Sequence, residues 1–364
     1  MGLHPGRLGA LRRGMARLGC DLVALGPGDD LRYLCGWSPV ADERLFLLLV
    51  ATDRHALVVP RLNADAAATV PGPRFVYDDA EGPASALRQA LASLGTVPGC
   101  VAVSDDLRAD HLLALQQQLP GSSFDVASRL LAPLRACKDP SELEWLRRAA
   151  RVADAGVVAA LEACRPGVSE IQVAEAARAA MVASGAETVA FVLVASGPNT
   201  ALPHHHSGPR LLQAGEPVLV DVGARVGGYC SDVTRMASLG QPSSRFVQVV
   251  EVVERALQEA LRAARPGSTA ADVDRAARRV IEDAGFGPYF SHRTGHGLGL
   301  SVHEPPSVHA QNAQQLEAGM VFTVEPGVYL PGEFGVRLEE AVILGPAGPQ
   351  ILSGLPRQVT VLTP

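Results

Sequence analysis

The sequence predicts an α/β N-terminal domain over residues 1–134, followed over residues 135–364 by an α+β domain built from an internal duplication. Three observations predict this. Short apolar runs of β type alternate with helical stretches through the first third of the chain. The stretch LAPLRACKDPSELEW then carries a stop signal followed by a helix start. Beyond it, Cys164–Glu187 and Ala264–Gly287 align at an offset of 100 residues and share Arg-Pro-Gly, a Val, Ala-Ala-Arg and a Gly.

In chain order, Leu3–Leu18 reads as the first helix. DLVAL, RLFLLLV, ALVVP, RFVY and CVAVS read as strands, with helices near Ala84–Leu94 and Ala109–Leu119. The LRYLCGWSPVADERL segment, carrying Tyr33, Trp37 and Arg44, reads as a loop entering a strand. It lies near a ligand, at a subunit contact or in ordinary packing. At the boundary, Asp139-Pro140 stops the preceding element, and Ser141 with Glu144 forms a capping box that opens a helix through about Cys164. Both copies of the repeat begin a helix at a hydroxyl cap, Ser169 or Thr269, after a helix that ends at Pro-Gly. Each then gives way to strand-like sequence, closing at His204 in one copy and His303 in the other. Two helix–helix–strand halves of this kind place their sheets side by side with helices outside, leaving a cleft between them.

Composition narrows the class of function. The chain has 364 residues, 47% of them hydrophobic, enough for a large core and about two domains. No apolar run approaches the ~20 residues of a membrane span, and MGLHPGRLGALRRGM lacks the apolar core of a secretory signal, so a cytoplasmic location is expected. A net charge of −6 without any basic cluster interleaved with aromatics argues against a nucleic-acid partner. Lys138 is the only lysine, and so much Arg beside so much Ala reads as a coding bias. The six cysteines are scattered without metal-ligand spacing and read as buried thiols, Cys230 included.

The chemistry-bearing signal is acid inside apolar β-type sequence. In PVLVDVGARVGGYCSDVTR, Asp221 sits mid-run and Asp232 on the returning strand, so a simple antiparallel register sets the two face to face. Opposed buried carboxylates repel and each costs several kcal/mol to desolvate, so the pair requires cations. MVFTVEPGVYL places Glu325 at the end of another apolar run. In FGVRLEEAVIL, strand alternation puts Arg337 and Glu339 on one face and Glu340 on the other. SHRTGHGLGLSVHEPP supplies His292, His296 and His303. Its Gly-x-Gly pattern lacks the following helix of a phosphate loop and reads as a strand approached closely by a ligand or metal, with His296 as a ligand. Oxygen donors with one imidazole suit Mn, Co, Fe or Zn.

Together with the repeat, LVDVGA…GYCSDVTR, TGHGLG…VHEPP, TVEPG and GVRLEE resemble the pita-bread metallopeptidases, the group of methionine aminopeptidase, aminopeptidase P and prolidase. The resemblance covers about residues 135–364, and the preceding domain resembles the N-terminal domain of the creatinase, prolidase and aminopeptidase P branch. It implies two divalent metal ions, Mn foremost with Co or Zn as alternatives. Asp221 would bind one ion, Asp232 and Glu339 would bridge the pair, and His296 with Glu325 would hold the second. It implies that Glu325 moves protons, that His204, His292 and His303 meet the substrate, and that Arg337 orients Glu339. The implied reaction is cleavage of the Xaa-Pro bond by a hydroxide shared between the metals, in a homodimer acting on proline-containing dipeptides. Aminopeptidase P action on longer peptides, a metal-free creatinase-like amidinohydrolase and a non-catalytic peptide-binding module are the alternatives. No Arg or Lys occurs between Glu304 and Val336, where some prolidases carry a cation for the dipeptide carboxylate; Arg210 or Arg44 could replace it.

Overall fold

The computed structural model describes residues 2–95 and 97–363. The chain divides into two compact units, Met1–Arg135 and Ala136–Pro364.

The first unit is built on a six-stranded mixed sheet. Its spatial order is Arg74–Tyr77, His55–Pro60, Leu47–Ala51, Leu22–Leu25, Cys100–Val103 and Ser123–Val126. The central strands LVAL and LLLVA are buried along their whole length, which is why they read as unbroken apolar runs. Ser123–Val126 is missed by sequence reasoning because, as an edge strand, it carries only partly buried and exposed residues. The segment read as a loop before the second strand is helical over Asp29–Cys35, and ends where Gly36 adopts φ +68°. Tyr33 and Trp37 pack locally, Trp37 edge-on against Phe46 at 5.9 Å between ring centres.

The second unit contains the duplication. Helices Pro140–Ala163 and Glu170–Ala183 pack on a sheet ordered Thr360–Leu362, Val233–Leu239, Pro217–Val226, Thr188–Ser196. Helices Ser244–Ala263 and Ala270–Asp283 pack on one ordered Glu304–Val308, Gly295–Gly297, Val321–Val324, Glu340–Gly345, Gly348–Ile351. The copies also match in backbone detail: Gly167 N donates to Leu212 O at 2.9 Å, and Gly267 N to Leu316 O at 2.8 Å. Both expected hydroxyl caps are present, with Ser169 boxed to Gln172 and Thr269 to Asp272. The cap of the helix opening the unit differs from expectation: Asp139, not Ser141, is the N-cap and Glu142, not Glu144, completes the box. Pro140 at the first helical position fixes that start two residues earlier than the hydroxyl suggests.

The register of the acid-bearing hairpin also differs. Gly227 and Gly228 adopt φ +59° and +84° and form a two-residue turn closed by Val226 opposite Tyr229. Asp221 therefore faces Thr234, and Asp232 lies two residues away, immediately before the strand. An offset of two keeps both acids on one face, so their meeting survives the error.

Candidate active site

All nine candidate residues, His204, Asp221, Asp232, His292, His296, His303, Glu325, Arg337 and Glu339, line one cavity of ≈620 Å³ in the second unit. They come from both halves of the duplication: Asp221 lies within strand Pro217–Val226 and His296 within Gly295–Gly297, and the others lie in loops or at strand ends. The apolar run through Arg337 and Glu339 is two strands, Phe334–Arg337 and Glu340–Gly345, belonging to different sheets. The break at Leu338–Glu339 turns Glu339 into the cavity. Glu340 turns the other way, to Arg235 Nη2 at 3.0 Å.

Asp232, His296 and Glu339 are buried and each offers a ligand atom within 4.8 Å of the other two. His296 Nδ1 lies 3.1 Å from its neighbour's carbonyl, Gly297 O; donation there directs Nε2 at Glu325 Oε1, 3.3 Å away, and Asp232 Oδ2, 3.6 Å away. The glycines beside His296 are steric necessities. A Cβ at Gly295 would stand 1.9 Å from Thr323 O and one at Gly297 2.2 Å from Pro305 O. At these two glycines it is neighbouring backbone that approaches the strand closely. Thr234 Oγ1 donates to Glu339 Oε2 at 2.7 Å and accepts from Arg337 Nε at 3.3 Å. Arg337 also clasps Asp221 Oδ2 and donates to Tyr329 OH at 3.0 Å. It thus supports Asp221 directly and Glu339 through Thr234.

The electrostatics are those of a site that wants cations. Burial raises the carboxyls of Asp232 and Glu339 well above the usual range, and neighbouring acids add to the effect. Burial lifts Glu325 to about 7 against the pull of Arg337. Burial also depresses His296 to about 3, with His303 adding to the effect, so its imidazole is neutral and has a lone pair to offer. Asp221 Oδ1 is buried without a hydrogen-bond partner among the described residues. An orphaned carboxylate oxygen beside three converging ligand atoms fits a divalent-ion site on chemical grounds.

His303 opens to the cavity, its ring centre 4.3 Å from that of His296; partial desolvation, then Arg293 and His204, depress its pKa. His292 is depressed to about 4 by burial; its Nε2 is 2.8 Å from Tyr329 OH, which ties it to the Arg337 network. Beside His204 in the chain, His205 Nε2 lies 2.7 Å from Glu170 Oε2, a fully buried carboxylate. Glu170 also receives Ser196 N at 2.8 Å and Asn199 Nδ2 at 2.9 Å, and so holds the loop that carries His204 to the cavity. Arg210 is engaged in a two-pronged pair with Glu216 at 2.6 and 2.8 Å, and Arg44 in one with Asp79 at 2.9 Å. The cavity instead has Arg293, which sequence reasoning passed over although it lies beside His292 in SHRTGHG.

The chain's single lysine is structural. Lys138 Nζ meets Glu304 Oε1 at 2.8 Å, with side chains 1% and 4% exposed, next to His303. Lys138→Met leaves Glu304 charged and buried, so unfolding in urea should show a loss of roughly 3–5 kcal/mol. A loss below about 1 kcal/mol would contradict that placement.

Clustered ligand donors in a pocket between the two halves of the duplication form a candidate metal centre. The pattern of metallopeptidase family M24 is matched over residues 144–346, and that of the creatinase/prolidase N-terminal domain over residues 7–137. The chain belongs to metallopeptidase family M24 and has the pita-bread fold. It is 34% identical to the Xaa-Pro dipeptidase of Lactobacillus delbrueckii subsp. lactis, over 98% of each chain. The crystal structure of dipeptidase PepE from Mycobacterium ulcerans superposes with a TM-score of 0.91 at 37% identity, covering 99% of this chain and 98% of that one. The prolidase of Thermococcus sibiricus superposes with a TM-score of 0.94 at 33% identity, covering 98% of each. Among the described residues no helix is long and apolar enough to cross a membrane.

Proposed function

We propose that this protein is an Xaa-Pro dipeptidase using two divalent ions, Mn²⁺ foremost, held by Asp221, Asp232, His296, Glu325 and Glu339. The observation that carries the reading is the convergence of these five side chains on one cavity, with Asp221 Oδ1 unpartnered and three ligand atoms mutually within 4.8 Å. The names of the Lactobacillus and Thermococcus relatives support the substrate class. Bound divalent ions supply carbonyl polarisation and water that ionises near neutral pH.

The chain's own residues do the rest. Glu325 takes the proton from the attacking water and returns it to the proline nitrogen as the amide breaks. His303 is uncharged at neutral pH and donates a ring N–H to the carbonyl oxygen as charge develops there. His204 lines the same cavity from the other half of the duplication. Arg337 keeps Asp221 and, through Thr234, Glu339 aimed inward. Residues 135–364 thus act as the catalytic region and residues 1–134 as its N-terminal partner, in a cytoplasmic homodimer.

Competing Ala-Pro against Ala-Pro-Ala after chelation and Mn²⁺ restoration tests the reading. Faster hydrolysis of the dipeptide, dependent on the metal, is expected. Preference for the tripeptide would make the protein an Xaa-Pro aminopeptidase. Activity indifferent to chelation would remove the metal mechanism, and no hydrolysis of either peptide would favour a binding module.

A further inference from the structure

Glu170 and Asp274 are fully buried carboxylates that do not line the cavity and take no part in the chemistry above. Each stands on the second helix of one half of the duplication, Glu170 on Glu170–Ala183 and Asp274 on Ala270–Asp283. At the offset of 100 residues Glu170 matches Ala270 and Asp274 matches Ala174, both of them buried. The two acids therefore sit one helical turn apart on the same inward face of equivalent helices. A buried charge is costly unless it is hydrogen-bonded, so its partners show what it is kept for.

Glu170 grips one segment from both ends. Its Oε1 accepts Ser196 N and Oγ, both at 2.8 Å, and Asn199 Nδ2 at 2.9 Å. Its Oε2 lies 2.7 Å from His205 Nε2 and accepts Gly208 N at 3.3 Å. His204 lies inside the segment so enclosed. Burial alone would raise this carboxyl, but the hydrogen bonds from His205, Asn199 and Ser196 hold it below its ordinary range, so it is charged. Asp274 does corresponding work in the other half. Arg278, one turn along the helix, pairs with both of its oxygens at 3.0 and 3.1 Å and donates to Phe290 O at 3.1 Å and His292 O at 3.0 Å. Asp274 Oδ1 accepts Thr294 N at 3.2 Å and Oγ1 at 2.7 Å. Thr294 precedes His296 by two residues, and its carbonyl accepts Glu325 N at 2.7 Å.

From this geometry we infer that Glu170 and Asp274 are positioning residues with separate tasks: Glu170 sets His204 for the substrate, and Asp274 sets His296 and Glu325 for the metal ions. This rests on the peptidase reading above. Neither carboxylate touches the reacting atoms; each fixes the backbone that delivers side chains which do. Groups held in place lose less entropy on engagement and keep their aim. The tasks separate because the side-chain hydrogen bonds of Glu170 fall within residues 196–208, a segment without any of the five proposed ligands, whereas those of Asp274 reach Thr294, which adjoins two of them.

The test compares wild type, Glu170→Gln and Asp274→Asn by calorimetric Mn²⁺ titration, by kcat/KM for Ala-Pro across Mn²⁺ concentration and by amide hydrogen exchange. Asp274→Asn should weaken Mn²⁺ binding about ten- to hundredfold, with turnover largely regained at high Mn²⁺. Glu170→Gln should leave Mn²⁺ affinity within about twofold and lower kcat/KM about tenfold at saturating metal. That second loss should be absent when His204→Ala is already in place, because Glu170 acts through His204. Exchange should quicken over residues 196–208 in Glu170→Gln and over residues 290–296 in Asp274→Asn. Equal losses of metal affinity and turnover in the two variants, or a Glu170→Gln loss that persists undiminished beside His204→Ala, overturn the inference and leave both acids as scaffold. Should either variant fail to fold, Asn199→Ala and Thr294→Val, which keep the acids and remove one bond each, are read in the same way. If wild type cleaves no Ala-Pro, the peptidase reading falls, and the Mn²⁺ titration with the exchange pattern still decides whether the two acids divide the work.

Discussion

Asp232→Asn should lower turnover of Ala-Pro by about 10³-fold or more. Loss of one carboxylate from the proposed metal-ligand set would remove several kcal/mol of stabilisation for charge developing in the reaction, and each ~1.4 kcal/mol is a factor of ten. The same substitution should not weaken the fold in metal-free protein. Asp232 is 7% exposed and its charged form is disfavoured by burial and by Glu339, Asp221 and Glu325, so an uncharged isostere relieves repulsion there. A metal-free variant melting no lower than metal-free wild type, with turnover lost, identifies a residue kept for chemistry at the expense of stability. Near-normal turnover, or a large drop in melting temperature, would place Asp232 in the scaffold instead.

His303→Ala should lower kcat by roughly 10²–10³, the usual cost of deleting one hydrogen-bond donor to a developing oxyanion, with a much smaller change in KM. The ring opens to the cavity and packs edge-on against His296, so its removal leaves no sizeable void in the core. Burial-driven depression of its pKa keeps it neutral at pH 7, which suits donation without competing for cations. A single-turnover measurement separates chemistry from release. An unchanged chemical step, or a loss of activity tracking a loss of folded protein, would remove His303 from the reaction.

The acids of this site are legible in the sequence because they violate a pattern. Asp221, Glu325 and Glu339 interrupt apolar runs that are otherwise buried, and charge in such a place demands an explanation. The duplication is legible for a similar reason: matching caps at Ser169 and Thr269 do the same local work in both copies. Register is less accessible, since one more residue in left-handed conformation at Gly228 moves the turn and shifts Asp232 by two positions. Arg293 and His205 were missed because nothing local distinguishes them. An arginine in a loop and a histidine in a triplet look solvated until the fold brings Ser307 and the buried Glu170 to them. Glu170 itself looks like an ordinary acid in a first helical turn; its full burial is a tertiary fact.

Carboxylates in water-poor β-structure should persist here only if divalent ions neutralise them. Calorimetric titration of chelator-stripped wild type with Mn²⁺ at pH 7, with Asp232→Asn as comparator, tests it most directly. Two ions should bind per wild-type chain, accompanied by a rise in melting temperature, with weakened binding in the variant. Wild type that takes up no Mn²⁺, Co²⁺ or Zn²⁺, or binds them equally well without the Asp232 carboxylate, would contradict it.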